Sequence, residues 1–128
     1  TVSAPVVEIR DVKAGTHISY GGVYTTKTDT RIAVVQAGFA DGVPRPWYID
    51  GFVKFKDQNF KITGRICMDQ LMIDIGSADI NYGDEVLIFG SNEHGSIDIN
   101  HIAKKIDSTS YVLVTAIGIR PKRIYKID

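Results

Sequence analysis

Two short stretches hold most of the residue types in this chain that could do chemistry. The first is GFADG, residues 38–42, inside QAGFADGVPR. Gly38 and Gly42 permit backbone angles that other residues avoid, so the turn can be sharp. Asp41 can accept from nearby amides and lock it. The turn presents one aromatic side chain, Phe39, and a phenyl ring has no proton to give or take. Taken alone, the stretch reads as a tight loop with Phe39 packed in the core. The second stretch is GRICMDQLMID, residues 64–74. It sets an arginine, a cysteine, a methionine and an acid between two strand-like segments. Arg65 and Asp69 read as charges pointing out of one end of a barrel, a rim pair worth about 0–1 kcal/mol. Cys67 and Met68 would then be ordinary fill.

Other chemistries find no support. Cys67 is the single cysteine, which excludes cysteine-based zinc patterns and an internal disulfide. His17, His94 and His101 are not at ligand spacing and read as surface or loop residues. No phosphate-cradling P-loop and no GxSxG elbow occurs. Lysine plus arginine and aspartate plus glutamate balance at 15 each, so nothing in the net charge suggests a nucleic-acid or membrane surface. No apolar run approaches the roughly 20 residues of a membrane span, and no signal peptide is visible. A lone cysteine suits a reducing compartment.

The elements that must position these residues are mostly strands. With 128 residues, 44% of them apolar, the chain can bury the core of one domain. APVVEIRDVKAG reads as a strand ending at Ala14-Gly15. HISYGGVYTT carries Tyr20 and Tyr24 around a break at Gly21-Gly22. TRIAVVQAG reads as a central strand buried on both faces. GFVKFKDQNFKITGRI is the clearest hairpin: Val53 and Phe55 alternate with Lys54 and Lys56, Asp57-Gln58-Asn59 form the turn, and Phe60 and Ile62 alternate with Lys61 and Thr63. DQLMIDIG and DEVLIFG give two more strands, joined by a turn near Asn81–Asp84. One segment differs. In SIDINHIAKKID, Ile99, Ile102, Ala103 and Ile106 recur at helical spacing, with Asp98 as N-cap. SYVLVTAIGIRPKRIYKI then returns to strand character. The predicted fold is all-β, a closed or nearly closed antiparallel β-barrel, with one short helix near residues 98–106. The chain begins TVSAPVVEIR without Met and already strand-like, which predicts a single domain cut from a longer protein.

In order and spacing, SYGGVYTT, GFADGVPR, GRICMDQLMIDI, YGDEVLIFG and STSYVLVTAIGIRPKRIY together resemble the C-terminal domain of alanine racemases, from about Val6 to Tyr125. The resemblance implies a cytoplasmic, pyridoxal-phosphate-dependent isomerase that interconverts L- and D-alanine, a precursor of cell-wall peptidoglycan. It implies a mostly β C-terminal domain and an N-terminal α/β barrel, absent from this chain, that carries the cofactor-bearing lysine. It also implies a head-to-tail homodimer, in which the C-terminal domain of one subunit completes the active site at the other's barrel mouth. The substrate is a small amino acid. No nucleic acid or membrane partner is implied.

Inverting a chiral centre requires removing a proton from one face and delivering it to the other. In the family the cofactor-bearing lysine serves one face and a tyrosine of the partner's C-terminal domain serves the other. The resemblance assigns that catalytic position to Phe39, which lacks the hydroxyl. It assigns the substrate carboxylate to the backbone N–H of Met68. It assigns contact with the cofactor phosphate to Tyr111, and a charged substrate corridor to Arg65 and Asp69. Tyr20 and Tyr24 lie in a family motif without a catalytic role. A serine racemase of the vancomycin-resistance type shares this domain. An amino-acid decarboxylase of the same cofactor fold also completes its site with a β-domain, but GRICMDQ fits the racemases better. Because of Phe39, a catalytically impaired enzyme or a non-catalytic dimerisation module is the remaining reading. The isolated chain, without a cofactor-bearing barrel, is expected to racemise nothing.

Overall fold

Apolar alternation and β-branching produce nine strands among the residues that the computed structural model describes, which are 1–18, 24–48 and 51–106. These are β1 (Val2–Val12), β2 (His17–Ile18), β3 (Tyr24–Thr25), β4 (Thr30–Val35), β5 (Phe52–Phe55), β6 (Gln58–Lys61), β7 (Leu71–Asp74), β8 (Glu85–Asn92) and β9 (Gly95–Ile97). Every pairing among them is antiparallel. The main sheet runs β6-β5-β8-β1-β4-β7, with β9 added on β8, and β2 and β3 form a separate ribbon. Strand β1 serves two partners. Val2–Pro5 pair with β8, Val6–Val12 pair with β4, and the register shifts between Val6 and Glu8. Such a bulge bends a strand and lets it leave one neighbour for another.

The central strand expected at TRIAVVQAG is β4: Ile32, Ala33, Val34 and Val35 are all buried. The expected helix is α1 (Ile99–Lys105). The Asp98 carboxylate accepts from the Asn100 N–H at 2.8 Å, which satisfies one of the donors that a helix start leaves open. Ile102 and Ala103 are buried, and Ile99 and Ile106 pack at the edge of the same core. No helix among the described residues is long and apolar enough to cross a membrane.

The mostly antiparallel sheet with one short helix is as expected, and two finer expectations are corrected. Among the described residues the sheet is not closed. Just past the end of β6 the chain meets β7 through one bridge, Ile62 with Ile73, and one further hydrogen bond from Thr63 N–H to the Met72 carbonyl at 2.8 Å. Closure needs a ladder between the edges, and the chain leaves β6 after Lys61 for the loop that carries GRICMDQ. The hairpin turn is also shorter than Asp57-Gln58-Asn59. Gln58 and Asn59 already pair with Phe55 and Lys54, so the turn is Lys56-Asp57, with φ of 47° and 64°. Both residues lie in the left-handed region, the geometry that matches the twist of flanking strands in a two-residue hairpin. The break at Gly21-Gly22, the C-terminal segment from Ser110 onward, Tyr20 and Tyr111 lie outside the described residues.

Candidate functional site

The two chemistry-bearing stretches are far apart in sequence and meet in space. The reason is register. β4 and β7 are antiparallel neighbours, and Val35 pairs with Leu71. The end of β4 and the start of β7 therefore lie at the same edge of the sheet. The chain leaves β4 into GFADG and enters β7 from GRICMDQ, so the loops are side by side.

Their contact is made by backbone. Phe39 N–H donates to the Cys67 carbonyl at 2.9 Å, and Ala40 N–H donates to the Met68 carbonyl at 3.0 Å. Gly38 permits this approach, because a Cβ there would lie 2.3 Å from both carbonyl oxygens. Residues Phe39–Asp41 form a single 3-10 turn. The Asp41 carboxylate accepts from Gly38 N–H at 3.1 Å, and Gly42, with φ of 100°, donates to the Phe39 carbonyl. Asp41 is thus the lock that its position suggested. On the facing loop, Cys67 N–H donates to the Gln70 carbonyl at 2.9 Å and closes a turn around Met68 and Asp69.

This framework presents two apolar side chains outward. Phe39 is 39% exposed and Met68 is 52% exposed. The reading of Phe39 as a core residue is therefore corrected: the turn is held by its backbone, and the ring stands out from it. The Met68 N–H finds no acceptor among the described residues, which leaves a donor beside the exposed ring. Arg65 and Asp69 are exposed on the same loop, and both are engaged by neighbouring groups. Cys67 is half-buried, with its thiol 3.9 Å from the Arg65 carbonyl. The fold so brings together Phe39, Met68, Arg65 and Asp69.

One residue of the site escaped sequence reasoning. The Arg45 guanidinium carbon lies 4.9 Å from the centre of the Phe39 ring, a cation–π distance. Between Phe39 and Arg45 the one large aliphatic residue is Val43, and Pro44 sets the backbone before Arg45. Those signals mark a turn, but nothing in them aims the guanidinium.

Tyr24 belongs to another region. Its phenol donates to Asp74 Oδ2 at 3.4 Å, and Asp74 also accepts from Thr30 Oγ1 at 2.6 Å and Gly76 N–H at 3.1 Å. Burial first, and the Asp74 carboxylate second, push the phenol pKa up. Asp74 closes β7 at the end away from Leu71, so Tyr24 is remote from the paired loops along that strand.

Residues 1–125 match the family model described as "Alanine racemase, C-terminal domain". An alanine racemase of Desulfosudis oleivorans is 41% identical over 121 residues, which is 94% of this chain and 31% of that protein. The solved alanine racemase of D-cycloserine-producing Streptomyces lavendulae is 36% identical with a TM-score of 0.90, covering 98% of this chain and 33% of that one. The alanine racemase of Bartonella henselae, solved with covalently bound pyridoxal phosphate, is 28% identical with a TM-score of 0.88, covering 97% of this chain and 34% of that one. The chain spans about one third of the length of these relatives.

Proposed function

Because the chain belongs to the alanine racemase C-terminal domain family, we propose that it completes the active site of a pyridoxal-phosphate-dependent alanine racemase. In this reading a lysine-bearing barrel lies upstream of Thr1 in the full-length protein, two subunits pair head to tail, and the paired loops face the partner's barrel mouth. The observation that carries the reading is the loop pair itself. An exposed aromatic and a backbone N–H with no acceptor among the described residues lie on two loops joined by backbone hydrogen bonds, and a monomer gains nothing from exposing the ring. They suit a site that a second surface covers.

In this reading the residues at the motif positions would serve the cofactor and its substrate. The Met68 N–H would hold the carboxylate of a small amino acid, a contact that depends on backbone rather than on side-chain type. Tyr111 would reach the cofactor phosphate. Arg65 and Asp69, of opposite charge on one loop, would favour a zwitterion in the corridor. When bound, pyridoxal phosphate makes the Cα proton of an amino acid removable. The residue at position 39 would exchange that proton on the face opposite the cofactor-bearing lysine. Phe39 keeps the ring and lacks the exchangeable proton, so the reaction is expected to be slow and lopsided.

Phe39→Tyr in the full-length protein tests this. It should raise interconversion of alanine enantiomers by about 10²–10⁴-fold, the usual worth of a positioned acid–base group. If the full-length protein neither binds pyridoxal phosphate nor interconverts alanine even with that substitution, the reading fails. Phe39 also favours a second reading, a non-catalytic pairing module; an F39Y protein that binds cofactor without gaining rate supports it. Racemisation of serine in preference to alanine would move the assignment to the serine enzymes.

A further inference from the structure

We infer that Arg45 is the positioning residue for the ring at position 39, holding that ring with a cation laid over its face. The inference rests on the reading of position 39 as the slot that faces the substrate. Its own support is geometric. The guanidinium carbon stands 4.9 Å from the centre of the Phe39 ring, where the quadrupole of an aromatic face attracts a positive charge.

Both ends of this contact are anchored. Phe39 is tied by its N–H to the Cys67 carbonyl, and its carbonyl accepts from Gly42 N–H. Arg45 opens a second 3-10 turn, Arg45–Tyr48, just after Pro44. On one side of it Val43 is 1% exposed and donates its N–H to the Gly38 carbonyl; on the other Trp47 is 1% exposed and donates its N–H to the Pro44 carbonyl. Trp47 is held in turn against Phe52, with ring centres 5.6 Å apart. Two buried side chains therefore fix the backbone on either side of Arg45, and the exposed guanidinium extends from a fixed base. With the cation over it, the residue remains 39% exposed.

The cation has a chemical consequence once a phenol stands at position 39. A positive charge against the ring favours phenolate over phenol and lowers the pH at which the group can act as a base. The other charged groups on the two loops are Asp41, Arg65 and Asp69. The Asp41 carboxylate is turned to the Gly38 amide, and Arg65 and Asp69 bring one charge of each sign. Arg45 is the cation placed against the ring. A lysine there would keep the charge but lose the flat, delocalised guanidinium.

The test uses the full-length F39Y protein with Arg45, with R45K and with R45M. The introduced phenol is titrated by ultraviolet difference spectroscopy against the Phe39 parent carrying the same residue at 45. R45M should raise its midpoint by about half a unit or more, and R45K should give a smaller rise. With Arg45 in place the midpoint should climb as salt is added, because an exposed charge is screened. An unmoved midpoint in R45M, or a salt-independent one with Arg45, overturns the inference. If R45M does not fold, as judged by its thermal transition, R45K and the salt series decide by the same criteria. A midpoint that moves in an F39Y protein without racemisation sustains the role of Arg45 while the racemase reading fails. Racemisation with a flat titration does the reverse.

Discussion

A Cβ at Gly38 would lie 2.3 Å from the carbonyl oxygen of Met68, so the two motif loops are as close as two backbones can come. This proximity makes Gly38 the residue on which the site's geometry depends. Gly38→Ala must push the loops apart or strain both. It should cost about 1–3 kcal/mol, the usual range for forcing atoms into a packed position, measured by chemical denaturation. The Phe39–Cys67 and Ala40–Met68 hydrogen bonds should lose their amide-exchange protection together. A midpoint equal to that of the parent would show that the loops can separate freely, against the packing described.

The Lys56-Asp57 turn carries local strain. Both residues have positive φ, which costs a non-glycine residue roughly 1–2 kcal/mol in the left-handed region. The turn survives because a neighbouring hairpin supports it. Lys56 N–H donates to His94 Nδ1 at 3.0 Å, Asp57 N–H donates to the His94 carbonyl at 2.9 Å, and the His94 ring stacks on Phe55 at 4.6 Å. Replacing the pair by the Asn-Gly sequence that this turn prefers, as K56N/D57G, should raise stability by about 1 kcal/mol. Replacing the support, as His94→Ala, should lower it by about 0.5–1.5 kcal/mol, because the Lys56 N–H loses its acceptor and Phe55 its stacked ring. Thermal unfolding of the two variants should shift in opposite directions; a shared direction would contradict this account.

Thr63 leads into GRICMDQ and is fully buried, and its hydroxyl has no hydrogen-bond partner among the described residues. Its backbone N–H is satisfied by Met72, so only the side-chain oxygen bears the desolvation cost. Thr63→Val keeps the branched shape and removes that oxygen. The variant should be more stable by about 1 kcal/mol, read as a higher denaturant midpoint at unchanged slope. A loss of stability would mean that the hydroxyl is satisfied in solution.

Much of this fold is legible in the sequence because the signals are local. Val53 and Phe55 alternate with lysines, Ile32–Val35 form an apolar run, and Ile99, Ile102, Ala103 and Ile106 share a helical face behind Asp98. What stayed hidden depends on distant partners. Closure is decided by how far β6 runs beside β7, and alternation does not set strand length. The turn at Lys56-Asp57 lacks turn-forming glycine or asparagine and is held by His94, far along the chain. Phe39 reads locally as core because an apolar ring between glycines usually is. Its exposure follows from backbone bonds to Cys67 and Met68 that only the β4–β7 register creates. The candidate site was visible through the ordered motifs rather than through their chemistry, and Arg45 was visible through neither.

Tyr24 poses the final question, since it supplies a phenol where Phe39 has none. Its hydroxyl is a donor to Asp74, and burial and that carboxylate raise its pKa, so Tyr24 is held protonated and is poorly suited to act as a base. The linkage has a definite sign. A phenol whose folded pKa exceeds its unfolded value of about 10 contributes stability below pH 10, and that contribution is lost as pH rises through the folded pKa. At pH 8, Tyr24→Phe should therefore cost about 0.5–1 kcal/mol for the lost hydrogen bond. Above pH 10 the parent should lose stability faster than the variant, and the gap between them should close. Denaturation curves of both proteins at pH 8 and through the alkaline range measure this directly. A gap that stays constant through that range would show that Tyr24 ionises alike in the folded and unfolded chains, against the hydrogen bond to Asp74.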